Sequence, residues 1–136
     1  QARRMPRHEL PPQPEGSVRV YIYRPQGLVG MWGRPVILVN GQKLKSTLSD
    51  SLLEPNSVIV ADVPAAKARV TWMQSAQAKE NTDPIVLAAP PGSSVYLRWT
   101  LEPTFGYLQP VSESQAATEL GPLFFKGYRN FTGAVK

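Results

Sequence analysis

Residues able to do chemistry are few in this chain and poorly grouped. His8 is the single histidine and cysteine is absent, so a Ser-His-Asp triad, a thiol nucleophile, a thiolate metal site and a disulfide lack the residues they require. His8 lies among prolines and arginines and reads as a solvated linker residue. Asp62 on a strand and Glu102 before Pro103 are the carboxylates placed where a pair could converge, but acid–base work needs a proton-transfer partner within hydrogen-bond reach, and surface charge is the simpler reading. Gly27-x-x-Gly30-x-x-Gly33 lacks the Lys-Ser/Thr pair of a phosphate cradle and precedes a strand where a helix is required; it reads as a loop. No catalytic residue, metal ligand or cofactor is expected.

Tyr21, Tyr23 and Tyr96 interleave with Arg19, Arg24 and Arg98, the mixture from which stacking platforms for single-stranded nucleic acid are made. The charge distribution argues against that partner. The formal net charge is +5, yet Arg3, Arg4 and Arg7 face Glu9 and Glu15 near the start, and Lys126, Arg129 and Lys136 near the end face no acid. The middle is left almost neutral, without an electrostatic groove. Tyrosine and arginine on the strand face opposite the core can instead pair across strands and carry a second layer.

Two apolar segments are better candidates for a partner surface: the loop residues Leu28, Val29, Met31 and Trp32, and the C-terminal residues Phe124, Phe125, Tyr128, Arg129 and Phe131. Contiguous apolar patches mark interaction sites when exposed, and the same residues could cap the open ends of a sandwich. The tail sets aromatic anchors beside outward-pointing cations, on the surface of the domain or of a partner.

The elements that position these residues follow from alternation and punctuation. With 136 residues, Pro 14, Gly 10, 42% hydrophobic and 18% charged residues, the chain fits one folded domain of short elements and frequent turns. Residues 1–16 form a Pro/Arg-rich tether, extended at roughly 3.1 Å per residue and spanning on the order of 45 Å. From Ser17, Val18, Val20 and Ile22 alternate with Arg19, Tyr21 and Tyr23 until Arg24-Pro25, the pattern of a strand. Asn40-Gly41 after an apolar run predicts a two-residue hairpin. Segments 57–63 and 66–73 predict a strand pair around Pro64, and 85–89 with 93–101 predict another across Pro90-Pro91-Gly92. Polar residues 74–83 read as an exposed connection. Ser112 and Gln115 suit a capping box, Ala116, Ala117 and Leu120 a short helix, and Gly121-Pro122 its end. The expected fold is all-β: an antiparallel β-sandwich of about seven strands over 17–122 with one short C-terminal helix, followed by an aromatic, basic tail over 123–136.

The order VRVYIYRP, a Gly-rich loop, VILVNGQKL, VIVADVPAAKARVTW, PIVLAAPPGSSVYLRW and LQPVSESQAATEL resembles the bacterial cell-envelope family known as domain of unknown function 2846, across about residues 17–120. Members of that family are mostly small and often lipoproteins. The resemblance implies a location in the periplasm or on the periplasmic face of the outer membrane, and a non-catalytic role in binding a protein or envelope polymer, including service as an assembly subunit. In a bacterial setting, Asn130-Phe131-Thr132 is a chance match to the glycosylation triplet. Gln1 opens without a basic stretch leading into an apolar one, as expected of a mature or trimmed chain; a lipidated residue upstream would supply a membrane anchor. The alternative is a ligand- or lipid-binding carrier, or a small enzyme, using the sandwich interior.

Overall fold

The structure, a computed structural model, describes residues 3–4, 10–25, 35–44, 52–66, 68–75, 84–101 and 105–133. Along the chain these form β1 (Arg3–Arg4), β2 (Ser17–Arg24), β3 (Val36–Val39), β4 (Gln42–Lys43), β5 (Ser57–Pro64), β6 (Arg69–Met73), β7 (Ile85–Val86), β8 (Ser94–Leu101), β9 (Gly106–Val111), α1 (Glu113–Leu120) and β10 (Phe124–Asn130). One sheet has the order β1-β10-β5-β2-β8-β9 and the other β4-β3-β6-β7. The expected all-β, sandwich-like fold with a C-terminal helix is what the chain adopts.

Its wiring departs from the expected antiparallel pairing. In the larger sheet, β2 runs parallel to β8 and β10 parallel to β5, so that sheet is mixed. The segments expected to pair around Pro64 lie in different sheets: β5 joins β2, from Ser17↔Pro64 to Arg24↔Ser57, whereas β6 joins β3 and β7. Likewise β7 and β8 separate across Pro90-Pro91-Gly92 instead of pairing. Alternation shows which face a residue occupies but not which strand lies beside it, and a proline-rich turn allows the chain to cross between sheets as readily as to fold back.

Every residue of β2 is buried, because both of its faces are covered. Val18, Val20 and Ile22 join Ile59, Ala61, Leu97 and Trp99 against Ile37, Val39, Val70 and Trp72 of the smaller sheet. The edge-on contact of Trp72 with Trp99, centroids 6.1 Å apart, bridges the two layers. On the opposite face Tyr21, Tyr23, Val58, Val60 and Tyr96 lie under Ala116 and Leu120 of α1 and Leu123. The molecule is therefore three layers deep: sheet, sheet, helix. Asn40 (φ 51) and Gly41 (φ 82) close the β3–β4 hairpin with Val39 opposite Gln42, the paired positive φ angles that a two-residue turn of this hand requires. Ser112 Oγ accepts from Gln115 N at 3.2 Å and starts α1, which ends before Gly121.

The described residues near both ends belong to the fold. The expected tail supplies β10, seated between β5 and β1, with the register slipping between Phe125 and Gly127. The last part of the expected tether lies on the sheet: Leu10 packs against the layer under α1, Gln13 Nε2 donates to Ser17 O (3.0 Å) and Ser93 O (3.1 Å), and Pro11 O accepts from Arg19 Nη2 at 2.6 Å. Deleting residues 1–13 is therefore expected to cost about 1–3 kcal/mol, from one apolar side chain and a few hydrogen bonds. Thermal melts of the truncated and full chains measure it, and coincident melting curves would show that these contacts add nothing.

Candidate functional site

The expected site residues are not gathered at one place. Leu28, Val29, Met31 and Trp32, with His8 and Glu102, lie outside the described residues. The C-terminal residues are built into the fold. Phe125 and Tyr128 pack on the layer under α1 and Phe131 on the core between the sheets; only Phe124 is exposed. Arg129 reaches across to the smaller sheet, Nη1 donating to Lys43 O at 2.7 Å and Nη2 to Gln42 Oε1 at 3.3 Å, with its guanidinium 4.5 Å from the Phe131 ring centre. Asn130 Oδ1 accepts from both the Thr132 backbone N (2.8 Å) and hydroxyl (2.6 Å), closing a local turn. The tyrosine–arginine set is likewise spent internally: Tyr21 and Tyr96 stack on each other at 5.0 Å and are buried.

Two polar networks engage carboxylates, one that of Asp62 and the other that of Glu119, a residue the sequence did not single out. Arg19 and Asp62 face each other across β2 and β5, and the guanidinium grips the carboxylate with two bonds of 2.8 Å, Nε to Oδ1 and Nη2 to Oδ2. Tyr128 donates its hydroxyl to Asp62 Oδ2, and its ring lies 5.7 Å from the Arg19 guanidinium carbon. The bond to Asp62 raises the Arg19 pKa further against the opposing effect of burial. In the second network Glu119 of α1 accepts from the Tyr23 hydroxyl at 2.6 Å and from Arg98 Nε at 3.1 Å; Arg98 continues to Thr100 and Thr100 to Gln109. Asp62 thus ties three neighbouring strands of one sheet together, and Glu119 ties α1 to that sheet.

Burial, and then the bond to Asp62, pushes the Tyr128 hydroxyl up to about 12. Burial, and then the bond to Glu119, raises that of Tyr23 as well. A folded-state pKa above the unfolded one means that these tyrosines contribute stability that is fully present below the unfolded value, about 10. It is lost as pH climbs through the folded values. The protein is accordingly expected to lose stability in alkali from about pH 10 upward, and Tyr128→Phe to flatten part of that decline. Melting temperatures of both proteins across this range check it; parallel declines would remove Tyr128 from the account.

The open site lies elsewhere, where the Asn40-Gly41 turn, the start of β6 and β7 meet. A groove of about 720 Å³ is lined there by Asn40, Gly41, Ala66, Ala68, Arg69, Thr71, Pro84, Val86 and Leu87, a size within the usual range of ligand pockets. Asn40 holds the backbone of Arg69 in a double grip: its N donates to Arg69 O at 2.8 Å and its Oδ1 accepts from Arg69 N at 3.0 Å. The Arg69 side chain is exposed and has no hydrogen-bond or ion-pair partner among the described residues. Opposite it in the register is Val86, 62% exposed. An otherwise apolar groove with one uncommitted guanidinium can take a ligand that presents an apolar face and an anionic group. Between the sheets, by contrast, the described apolar side chains form the main core cluster.

No family model, curated protein or solved structure matches this chain.

Arg69 and Val86 escape a reading of the sequence because nothing local marks them. Their juxtaposition comes from the register of β6 and β7, which are not contiguous in the chain. Pro84 was the available clue, since a proline at the start of a short strand places that strand at a sheet edge.

Proposed function

We propose that the chain is a non-catalytic component of the bacterial cell envelope, in the periplasm or on the periplasmic face of the outer membrane, that binds a protein or envelope polymer through the groove at Arg69. The observation that carries this reading is the uncommitted guanidinium of Arg69, a residue whose backbone Asn40 holds, at a mostly apolar groove. The engagement of Asp62 and Glu119 by neighbouring arginines and tyrosines favours binding over acid–base chemistry. The envelope setting rests on the resemblance of the strand and hairpin motifs, and a lipidated residue upstream would fit it. Purified protein and its Arg69→Glu variant, immobilised and exposed to solubilised bacterial envelope fractions, test the reading. A component retained by the first and lost by the second is expected; identical retention profiles would remove the groove as the binding site.

A further inference from the structure

Four strands lie at sheet edges, and they are not equally guarded. On β9, Gln74 occupies both polar groups of Gly106, donating to its O at 2.6 Å and accepting from its N at 3.1 Å, while Pro110 has no N–H to offer. On β4, Arg129 takes the carbonyl of Lys43. β1 is two residues long. These are familiar ways of keeping a strand edge from pairing with another chain.

β7 is equally short and follows Pro84, but among the described residues no side chain takes its outward backbone groups. Leu87 N donates to Ala68 O at 2.9 Å, which makes Leu87–Ala68 a hydrogen-bonded pair and, by the alternation of an antiparallel ladder, Val86–Arg69 a non-hydrogen-bonded one. The N–H and C=O of Val86 therefore point away from β6, toward the open side of the sheet, and have no partner among the described residues. A residue laid opposite Val86 on that side would put its side chain on the face shared by Val86 and Arg69.

We propose that this edge captures an extended acidic peptide of a partner protein, which adds a strand beside β7 through the backbone of Val86 and sets a carboxylate against Arg69 across the groove. The inference rests on the groove reading above. It selects a peptide over a polysaccharide because the exposed groups form one donor–acceptor pair with strand spacing, which another peptide backbone complements. It selects acidic side chains because Arg69 is the charged residue among those described as lining the groove, and its side chain has no partner among the described residues. A second copy of this chain fits less well: two β7 strands paired at Val86 would bring two Arg69 side chains onto one face, like charge against like.

The test uses a blocked, fluorescent octapeptide alternating Glu with Val, its counterpart with Lys for Glu, and an acidic version N-methylated at alternate residues so that it cannot bond to an edge. The acidic peptide is expected to bind the full chain, to shift the backbone amide resonance of Val86, and to lose about tenfold in affinity on N-methylation or with Val86→Pro. Arg69→Glu should lose a similar factor and gain preference for the Lys peptide. Val86→Pro removes an N–H that β6 does not use, and the N-methylated peptide asks the same question with no change to the protein. Equal binding of the N-methylated peptide, indifference to the charge swap, or self-association abolished by Val86→Pro would each overturn the proposal. If Arg69-dependent capture of an envelope component persists while the acidic peptide fails to bind, strand addition falls and the groove reading stands. If neither is seen, both fall.

Discussion

Asp62→Ala is expected to destabilise the protein by about 3–5 kcal/mol, the usual consequence of removing one partner from a buried ion pair. The Asp62 carboxylate is fully buried and the Arg19 side chain 10% exposed, so the guanidinium left behind could not recover its lost interaction from water. Tyr128 would lose the acceptor of its hydroxyl as well. Pro11 O would remain as an acceptor for Arg19, which places the loss in the lower part of that range if the N-terminal segment closes further over the site. Replacing both partners, Arg19→Met with Asp62→Leu, should recover much of the loss because no charge is then stranded. Urea unfolding of the two single variants and the double variant gives the coupling directly. A loss below about 1 kcal/mol for Asp62→Ala would mean that water reaches the pair.

Gly106→Ala is the second large effect. A methyl group at this position would lie 2.2 Å from Trp99 Cζ2 and 2.6 Å from Cε2, well inside contact distance. Trp99 cannot simply turn aside, since its ring is 4% exposed and wedged against Trp72 in the main core. Either the start of β9 lifts away, breaking the two bonds that Gln74 makes to Gly106, or the tryptophan leaves its place. Overpacking of this kind costs about 1–3 kcal/mol, more when a rigid ring is involved. Near-ultraviolet circular dichroism should change with the melt, because the environment of Trp99 must change. An unaltered spectrum with an unaltered melting temperature would contradict the close approach.

What could be read from residues alone was whatever local chemistry decides. Asn40-Gly41 made its hairpin because both positions take positive φ, Ser112 capped α1 through its own hydroxyl, and Arg24-Pro25 ended β2. The larger failures were matters of neighbourhood. Nothing in VIVADVP or RVTWM says that the two strands belong to different sheets. FFKGYRN has too irregular an alternation, broken by the slip at Gly127, to advertise a strand. Its aromatic residues were legible as anchors, and anchors they are, but for the chain itself. The Tyr21 and Tyr23 face showed that a second layer was plausible without showing that a helix supplies it. The candidate site was the least visible feature, since it depends on Arg69 standing opposite Val86.

The position of β10 has a consequence for biosynthesis. Among the described residues the ladder partner of β1 is β10, and β10 in turn needs the flank of β5. β1 therefore acquires its pairing only after β10 has emerged, whether from a ribosome or from a secretion channel. During elongation the flank of β5 waits unoccupied with its apolar side chains open to solvent, a state prone to mispairing. A nascent chain stopped before Phe124 should consequently be held by chaperones, and release should coincide with delivery of Phe124–Asn130 rather than with completion of the central strands.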